Sequence, residues 1–507
     1  MATRRIGPPS APGPDPTTAR EPLWLGIDVG TQQVRALVVD DDGTVAGAGS
    51  APLTSTRSFS HHEQDPEQWW TAVADATRTA MSGVRAGSVA ALAVAATSGT
   101  ILLVDRAGRP CTAALMYDDA RAVEQARIVD DVGAPVWWAL GYTHMQPTWA
   151  LPKLLWLLQT NPALADRAPR LCHQADLITA RFVGHPVPTD AGNALKSGYH
   201  VGEDRWPHEV FTRLGIPPSL LPPVVRPGTV LGRVSVEAAA ATGVGAGTPV
   251  VAGMTDGCAA QLGAGCLETG SWNSVLGTTL VLKGVSDDLI TDPAGALYSH
   301  RGPDGTWLPG GASNCGAGAI PVWFGGADLG ELTGRAADVP IGPLAYPLLA
   351  RGERFPFRAA AAETFVLGTP ADDAGMFAAL LLGVACLERL CYDRIHLLGA
   401  PSIENLTFTG GATRNEYWTQ LRADLLGRHI QIPEQSEPAL GMAILAATSG
   451  GRCAKDVAAA MVRTRTVVAP NSTRGSVLRE RYADFLQALT TRGWLDSATA
   501  DHARARL

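Results

Sequence analysis

The sequence predicts an α/β fold of two domains, each built on a mixed β-sheet flanked by helices, with a cleft between them. Its 507 residues exceed the size of one ordinary hydrophobic core. Two segments share one local pattern, an apolar strand, a tight turn with glycine and threonine, and a second apolar strand. They are "LGIDVGTQQVRALVV" from Leu25 and "SVLGTTLVLKGV" from Ser274. Because this hairpin occurs once in each half of the chain, the halves are predicted to be weakly related domains.

The first domain is predicted to open with three consecutive strands, "LWLGIDVG", "VRALVVDD" and "TVAGAGSAPL". The segment "DPEQWWTAVADATRTAMSGV" follows as a helix, with Asp65 as its N-cap and Pro66 as its first helical residue. "VAALAVAATSGTILLVDRAGRP" is predicted to form a buried strand, a loop at Thr97–Thr100 and another strand. The stretch from about 145 to 245 is rich in proline and short helices, which is typical of an elaboration on the first domain.

The second domain is predicted from an α/β pattern that opens near Pro249 with "PVVAGMTDGCAAQLGAG" and continues with "SWNSVLGTTLVLKGV". The segment "DAGMFAALLLGVACLERLCYDRIHLLG" is apolar on most sides, and we therefore expect a buried helix. "NLTFTGGATRNEYWTQLRADLLG" is predicted to be a strand, a Gly-Gly turn and a helix.

The bulk composition argues against several classes of protein. A net charge of −7 disfavours a nucleic-acid binder, which normally carries a basic face. No apolar run of about 18 residues predicts a membrane span, and the first residues lack the apolar core of a secretory signal. The 8 cysteines form no C-x-x-C pair or zinc-type cluster, so we expect reduced thiols in a cytoplasmic protein.

The first candidate site is the turn Asp28-Val-Gly-Thr31. Outward-pointing N–H groups of such a hairpin bind phosphate, and the Thr31 hydroxyl adds a donor. Asp28 at the strand end is suited to hold Mg²⁺ through water, because Mg²⁺ keeps much of its hydration shell. The alternative interpretation is an ordinary turn in which the aspartate caps its own backbone.

The second candidate site is "GMTDGCAAQLG", in which Asp256 lies between an apolar strand and a helix of small residues. The helix N-terminus beside this carboxylate is expected to keep it ionised. An ionised carboxylate there can accept the proton of a substrate hydroxyl. A simple N-cap is the alternative interpretation.

Three further glycine-rich turns complete the pattern: Gly277-Thr278-Thr279, "LPGGASNCGAG" from Leu308 and "FTGGATRNEYW" from Phe408. Glycines at a strand end let a flat ring or a phosphate approach the backbone closely. Each pair could be a mere turn, but five such features in this order are not expected by accident.

The chain resembles the FGGY carbohydrate kinases of the actin-like, ribonuclease-H-like ATPase superfamily, over about residues 22 to 450. The motifs that carry the resemblance are "IDVGTQQVRA", "HEQDPEQWW", "TSGTILLVDRAGRP", "MYDDARA", "TDAGNALKSGY", "MTDGCAAQLGAG", "SVLGTTLVLK" and "TGGATRNEYWTQLRADLLG". Within the family, "YSHRGPDGTWLPGGASNCGAG", "ARGERFP" and "LKSGY" look most like the D-ribulose kinase (xylulokinase-like) branch.

The resemblance implies two ribonuclease-H-like domains with an active site in the cleft between them. It implies an N-terminal domain at 22–250 that binds sugar and holds the first phosphate hairpin. A C-terminal domain at 251–455 would then bind ATP and carry the catalytic base. A tail at 1–21, predicted to be disordered, and a C-terminal helical segment at 456–507 complete the chain.

The resemblance also assigns roles to individual positions. Asp256 matches the catalytic base and contacts the sugar, while Asp28 matches the aspartate that organises Mg²⁺ and contacts the sugar. Ser98 lies on the loop that contacts the sugar. The positions matched to ATP binding are Thr31, Gly277, Thr278 and Thr279 at the phosphates, and Gly310, Gly311, Gly411, Ala412 and Asn415 at the adenosine.

The implied reaction is transfer of phosphate from ATP to a ketopentose, with D-ribulose giving D-ribulose 5-phosphate as the first expectation. D-xylulose kinase, or another polyol kinase, is the alternative, because the branch more often has Asp-Gly where this chain has Ala95-Ala96. An actin-like ATPase without a sugar substrate is the alternative from another class. We expect sugar, ATP and Mg²⁺ as the partners, no nucleic acid or membrane, and a monomer or homodimer.

Overall fold

The structure is a computed structural model that describes residues 22–142, 144–167 and 169–507. The tail at 1–21 lies outside the described residues, so the prediction that it is disordered stays a prediction.

The first half of the chain contains thirteen strands and eight α-helices within the described ranges. The strands are β1 (Leu23–Val29), β2 (Gln33–Val39), β3 (Val45–Pro52), β4 (Thr56–Ser58), β5 (His61–Gln64), β6 (Val89–Ala96), β7 (Ile101–Val104), β8 (Ala114–Leu115), β9 (Arg170–His173), β10 (Thr189–Asp190), β11 (Val224–Val225), β12 (Val230–Arg233) and β13 (Pro249–Val251). The helices are α1 (Pro66–Ala80), α2 (Val123–Ala139), α3 (Ala150–Thr160), α4 (Gln174–Val183), α5 (Ala191–Leu195), α6 (His208–Arg213), α7 (Val236–Thr242) and α8 (Asp256–Gly263).

The second half contains nine strands and eight α-helices. The strands are β14 (Ser271–Leu276), β15 (Leu280–Gly284), β16 (Tyr298–Arg301), β17 (Trp307–Ala312), β18 (Leu344–Tyr346), β19 (Phe365–Leu367), β20 (Asn405–Thr409), β21 (Ile430–Pro433) and β22 (Thr464–Val468). The helices are α9 (Ala319–Trp323), α10 (Leu329–Asp338), α11 (Asp373–Leu397), α12 (Glu416–Leu426), α13 (Pro438–Ala447), α14 (Ala454–Met461), α15 (Ser472–Thr491) and α16 (Ser497–Ala505).

The centre of the first lobe is a six-stranded mixed sheet in the order β12-β13-β6-β1-β2-β3. β1 runs antiparallel to β2 and parallel to β6, and β13 also runs parallel to β6. Helix α1 begins as predicted, since Pro66 opens it and the Asp65 side chain accepts the backbone N–H of Glu67. A second sheet of this lobe has the strand order β4-β5-β8-β7-β9, and the stretch from about 145 to 245 contributes β9 to it and helices α3 to α7 around it.

The second lobe is built on a seven-stranded sheet in the order β16-β17-β15-β14-β20-β21-β22. The predicted hairpin is present, because β14 runs antiparallel to β15, and β14 also runs parallel to β20. Helix α11 is long and apolar enough to cross a membrane by length and composition, but 83% of its most apolar window is buried inside the protein. It is the core helix of this lobe, as the sequence predicted.

Helices α8 and α13 pack closely against each other, because glycine and alanine lie where their backbones come closest. A Cβ on Gly441 would lie 1.9 Å from the carbonyl oxygen of Ala259 in α8. A Cβ on Gly26 of β1 would lie 1.7 Å from the carbonyl oxygen of Ala439. The chain passes from one lobe to the other after Pro249. Strand β13 belongs to the sheet of the first lobe, and the hairpin β14–β15 belongs to the sheet of the second.

Candidate active site

Three parallel strands of the first sheet end at the same edge and bring three predicted site residues together. The pairing of β1 with β6 places Asp28 beside the last residues of β6. Just beyond, Ala96 forms a parallel bridge with Thr255, the residue that precedes α8. Asp28, the loop that carries Ser98 and the first residue of α8, Asp256, are therefore neighbours.

Asp256 is the first residue of α8 and not its N-cap, which excludes the alternative interpretation from the sequence. Thr255 occupies the N-cap position. The Asp256 carboxylate accepts a 2.7 Å hydrogen bond from the backbone N–H of Gly257. Asp256 is half-buried at this strand-to-helix junction.

The charge state of Asp256 depends on opposing influences. Burial raises its pKa above the usual value of an aspartate, while the Gly257 N–H, Lys196, Lys283 and the Ser98 N–H lower it. The sequence predicts only the effect of the helix N-terminus, which favours the ionised carboxylate. The desolvation that raises the pKa of Asp256 arises from the folded structure. The net effect is a carboxylate that is more basic than a solvated aspartate, which suits a group that accepts a proton.

Asp28 is held in a different environment, and it does not cap its own turn. Its Oδ1 is buried with no hydrogen-bond partner among the described residues. Burial, and then the nearby charges of Asp256 and Glu437, raise the pKa of Asp28 to about 7 against the opposing charge of Arg35. Two neighbouring carboxylates, one with an unpartnered oxygen, are the arrangement that a divalent cation stabilises.

The acidic pair fits a Mg²⁺ ion for which water and phosphate oxygens supply most of the ligands. Within the described ranges, no group of three or more His, Cys, Asp and Glu side chains could enclose a metal by itself. Mg²⁺ commonly binds through one or two carboxylates together with substrate phosphates.

Ser98 lies on a loop whose backbone is fixed from within. The Thr97 hydroxyl lies 2.6 Å from the Thr100 hydroxyl and donates to Gln174 Oε1 at 2.7 Å. The Ser98 Oγ, by contrast, is buried and has no hydrogen-bond partner in the part of the chain that the structure describes. A buried, unpaired hydroxyl at the edge that also holds Asp28 is a suitable contact for a sugar hydroxyl.

The two glycine-threonine turns differ in their surroundings. Thr31 is half-buried, and its carbonyl oxygen accepts a 2.7 Å hydrogen bond from Gln64. Thr278 is exposed at the tip of the β14–β15 hairpin, where the N–H of Gly277 donates to the carbonyl of Thr279. Both turns leave backbone groups accessible, as phosphate binding requires.

The second hairpin adjoins the predicted nucleotide loops. The N–H of Gly318 donates to the carbonyl of Thr278, and a Cβ on Gly410 would lie 2.6 Å from the carbonyl of Leu276. The strand pairing of β14 with β20 thus brings the hairpin beside Gly411, which is exposed.

Ala412 and Asn415, the other residues predicted at this loop, are partly occupied by structural contacts. Ala412 is buried. Asn415 caps α12 by accepting the N–H of Trp418, and its amide donates to the hydroxyl of Thr333 in α10 at 3.0 Å. Asn415 therefore joins α10 to α12 beside the exposed backbone of Gly411.

Gly310 and Gly311 have a packing role that the sequence did not reveal. Both are buried in β17. A Cβ on Gly310 would lie 2.8 Å from the side chain of Lys283, and one on Gly311 would lie 2.5 Å from the ring of Phe355. Glycine is required at these positions because neighbouring side chains fill the space above the strand, and their assignment to adenosine stays a prediction.

Four residues near Asp256 were not singled out by sequence reasoning. Lys196 Nζ donates to the carbonyl of Ser98 at 3.2 Å, and Lys283 Nζ lies 3.1 Å from His300 Nδ1. Both ammonium groups lie near the ring of Tyr298, with Lys196 Nζ 5.7 Å and Lys283 Nζ 6.0 Å from the ring centroid. The available signal was the scarcity of lysine, since the chain has only four.

The match to a family model identifies the chain. The N-terminal domain model of the FGGY family of carbohydrate kinases matches residues 23–263, and the C-terminal domain model matches residues 272–450. The chain belongs to the FGGY family of carbohydrate kinases. The residues at the sheet edge, Asp28, Ser98 and Asp256, all lie within the N-terminal match.

Relatives of this FGGY kinase align along most of their length. It is 34% identical over 477 residues to a xylulose kinase of Streptomyces coelicolor and 32% identical over 465 residues to one of Streptomyces rubiginosus. In both cases the alignment covers 90% of this chain and 93% of the relative.

Solved structures confirm the fold. A xylulose kinase from Rhodospirillum rubrum superposes with a TM-score of 0.84 at 26% identity, covering 92% of this chain and 98% of that one. A glycerol kinase from Plasmodium falciparum with ADP gives a TM-score of 0.82 at 17% identity, covering 94% of this chain and 99% of that one. The two-lobed α/β architecture predicted from the sequence is therefore confirmed.

Proposed function

We propose that this FGGY kinase transfers the γ-phosphate of ATP to the terminal hydroxyl of a ketopentose, with D-xylulose as the first candidate substrate. The observation that carries the proposal is the placement of Asp256 at the sheet edge, beside Asp28 and the Ser98 loop. A proton acceptor, a hydroxyl contact and accessible phosphate-binding turns are the groups that phosphorylation of a sugar hydroxyl requires.

The relatives support D-xylulose better than D-ribulose, which the sequence motifs had placed first. The relatives at 32% and 34% identity are both named xylulose kinases. The ranking from the sequence rested on a few branch-like motifs, whereas these similarities extend over 90% of the chain. D-Ribulose therefore becomes the second candidate.

Asp256 has the role of general base in this proposal. Its carboxylate accepts the proton of the sugar hydroxyl as the hydroxyl oxygen forms a bond to the γ-phosphorus and the bond to the ADP oxygen breaks. Lys196 and Lys283 favour the ionised form that the step needs, since both lower the pKa of Asp256. Positioned general bases typically accelerate such steps by about 10²- to 10⁴-fold.

The two glycine-threonine turns are proposed to bind the phosphates of ATP, through Thr31 in the first lobe and Thr278 in the second. Asp28 would help to hold Mg²⁺, which neutralises charge on the phosphates when it is bound. The unpartnered Oδ1 of Asp28 supports this assignment. Gly411 is proposed to lie beside the adenosine, because its backbone is exposed next to the second turn.

The test is a substrate panel with the purified protein, in which ADP formation is measured with ATP and Mg²⁺. The panel contains D-xylulose, D-ribulose, L-ribulose, glycerol and D-gluconate, each at the same concentration, and a reaction without sugar. The proposal predicts that D-xylulose gives the highest kcat/KM and that the reaction without sugar is slow.

Each other outcome points to a different function. A higher kcat/KM for D-ribulose would reverse the order of the two pentuloses and leave the reaction class intact. Equal ADP formation with and without sugar would favour an actin-like ATPase and refute the sugar kinase.

A further inference from the structure

Lys153 of α3 is completely buried, and its ammonium group is held by backbone carbonyls alone. Nζ lies 2.7 Å from the carbonyl oxygen of Gly99, 2.7 Å from that of Met116 and 3.4 Å from that of Leu115. Among the described residues, Lys153 forms no salt bridge. A charged group in this position is a costly way to fill a buried site, because an apolar side chain of similar length would avoid desolvating an amine.

The electrostatic surroundings underline that cost. Burial lowers the pKa of Lys153 to about 7. The charges of Asp118 and Asp119 raise this pKa, and those of Lys196 and Arg121 lower it. Residues that break the rules of core packing without a local gain are commonly retained for function.

The carbonyls that Lys153 binds belong to the two segments that border the proposed sugar site. Gly99 directly follows Ser98, and its φ of +94° is one that glycine adopts most readily. Met116 directly precedes Tyr117, whose side chain is partly exposed. Desolvation of its hydroxyl raises the pKa of Tyr117, and the charges of Asp118 and Asp256 raise it too. The ammonium group of Lys153 therefore binds both segments that lie near Asp256, through the carbonyls of Gly99 and Met116.

A second lysine completes the arrangement. Lys196 binds the carbonyl of Ser98 at 3.2 Å, so that two lysines hold two consecutive carbonyls of the loop. The N–H of the same residue, Ser98, faces the Asp256 carboxylate and lowers its pKa. The hydrogen bonds from the two lysines to the carbonyls of Ser98 and Gly99 thus fix the backbone of the loop and, with it, the position of the Ser98 hydroxyl.

We propose that Lys153 is a positioning residue for sugar binding, which holds Ser98 and Tyr117 in register with Asp256 by binding the carbonyls of Gly99 and Met116. This inference rests on the proposed function, because it takes the Ser98 loop to be the sugar contact. Lys153 itself touches no substrate. Its effect is on where the loop places its donor groups.

The test compares Lys153→Met with Lys455→Met as a matched control. Lys455 is exposed, and its one ion pair in the described part of the chain is with Glu268 at 3.4 Å. Removing the Lys153 amine leaves two buried carbonyls without their donor, which disturbs the loop. We expect KM for the preferred pentulose to rise by about 10-fold or more, KM for ATP to change by less than about 2-fold, and Lys455→Met to match the wild type.

A merely structural role for Lys153 gives a different result. Loss of fold would lower the melting temperature and impair both substrates together, and an equal rise of both KM values would overturn the proposal. Lys196→Met provides the second variant, because Lys196 is only half-buried and its loss releases the Ser98 carbonyl without opening the core. We expect the same selective rise of the sugar KM in that variant, together with a change in the pH dependence of kcat that Lys153→Met does not show, because Lys196 also lowers the pKa of Asp256.

Hydrogen exchange separates this inference from the proposed function. If the wild type phosphorylates no pentulose, the proposed function fails, but exchange at residues 97–100 and 116–117 still reports on the loop. The inference predicts that Lys153→Met exchanges faster at these two segments than elsewhere in the first lobe. Unchanged exchange there would overturn it, whichever sugar is used.

Discussion

Asp28→Asn is predicted to stabilise the protein at neutral and alkaline pH while it removes activity. Asp28 has a pKa of about 7 in the folded state against 3.8 in its ordinary state, because it is buried beside Asp256. Because its pKa is higher in the folded state, protonation of Asp28 stabilises the folded protein relative to the protein with this carboxylate ionised. This stabilisation is complete below pH 3.8 and is lost as the pH rises through about 7. Asparagine has the same shape and no charge, so it escapes that loss.

The magnitude follows from the pKa shift. One pKa unit corresponds to about 1.4 kcal/mol, so the shift of Asp28 corresponds to about 4 kcal/mol above pH 7 and to under half of that at pH 5. Because the site can relax around the ionised carboxylate, we expect Asp28→Asn to raise the free energy of unfolding by about 1 to 4 kcal/mol at pH 8. Denaturant unfolding at pH 5 and pH 8 measures the difference between variant and wild type at each pH.

The control for Asp28 is Asp42→Asn, because Asp42 is exposed. This variant should match the wild type at both pH values. The reasoning is refuted if Asp28→Asn is no more stable than the wild type at pH 8, or if its advantage does not grow between pH 5 and pH 8. A divalent cation bound with nucleotide should narrow the difference, since it neutralises the wild-type carboxylate.

Two further predictions concern the packing that supports the site. Arg422→Met is expected to lower the free energy of unfolding by about 3 to 5 kcal/mol, because it removes the guanidinium that lies 2.6 Å from Glu388 and leaves that buried carboxylate without its ion-pair partner. Urea unfolding at pH 7 measures the change, and a loss below about 1 kcal/mol would contradict the prediction. Gly26→Ala is expected to prevent folding or cost several kcal/mol, because the new Cβ would overlap a carbonyl of α13, whereas Gly334→Ala in α10 has open space and should gain about 0.5 to 1 kcal/mol. Soluble yield and melting temperature distinguish the two glycine variants, and a stable Gly26→Ala protein would show that β1 and α13 can separate.

Local sequence signals predicted much of the fold. The glycine-threonine hairpins, the Asp65 cap of α1 and the buried helix α11 depend on residues within one element, and each formed as predicted. Asp256 was placed at a strand-to-helix junction by the same kind of reasoning. These features follow from turn chemistry, capping and periodicity, which a single sequence contains.

The remaining features depend on contacts between distant segments. The role proposed for Lys153 depends on the packing of α3 against β7, which brings its ammonium group to the carbonyl of Gly99, 54 residues earlier in the chain. The high pKa of Asp28 arises from desolvation and from Asp256, neither of which is visible in the turn sequence. Gly310 looked like a loop glycine, but its lack of a side chain makes room for Lys283.

The preference for a pentulose was also beyond the reach of local motifs. Motifs shared by a branch reflect a few positions, whereas under the proposed function the choice between D-xylulose and D-ribulose would depend on the contacts between the Ser98 loop and the substrate. Among the described residues, Asp28 Oδ1 and Ser98 Oγ are buried without a hydrogen-bond partner, which is why we propose them as sugar contacts.

The most direct measurement is sugar-dependent ADP formation by Asp256→Asn, with nucleotide binding measured in parallel by titration calorimetry. If the carboxylate at position 256 removes the proton from the sugar, the variant binds ATP as the wild type does and kcat falls on the order of 10²-fold or more. Turnover close to that of the wild type would mean that another group takes the proton, and the account of this site would be wrong.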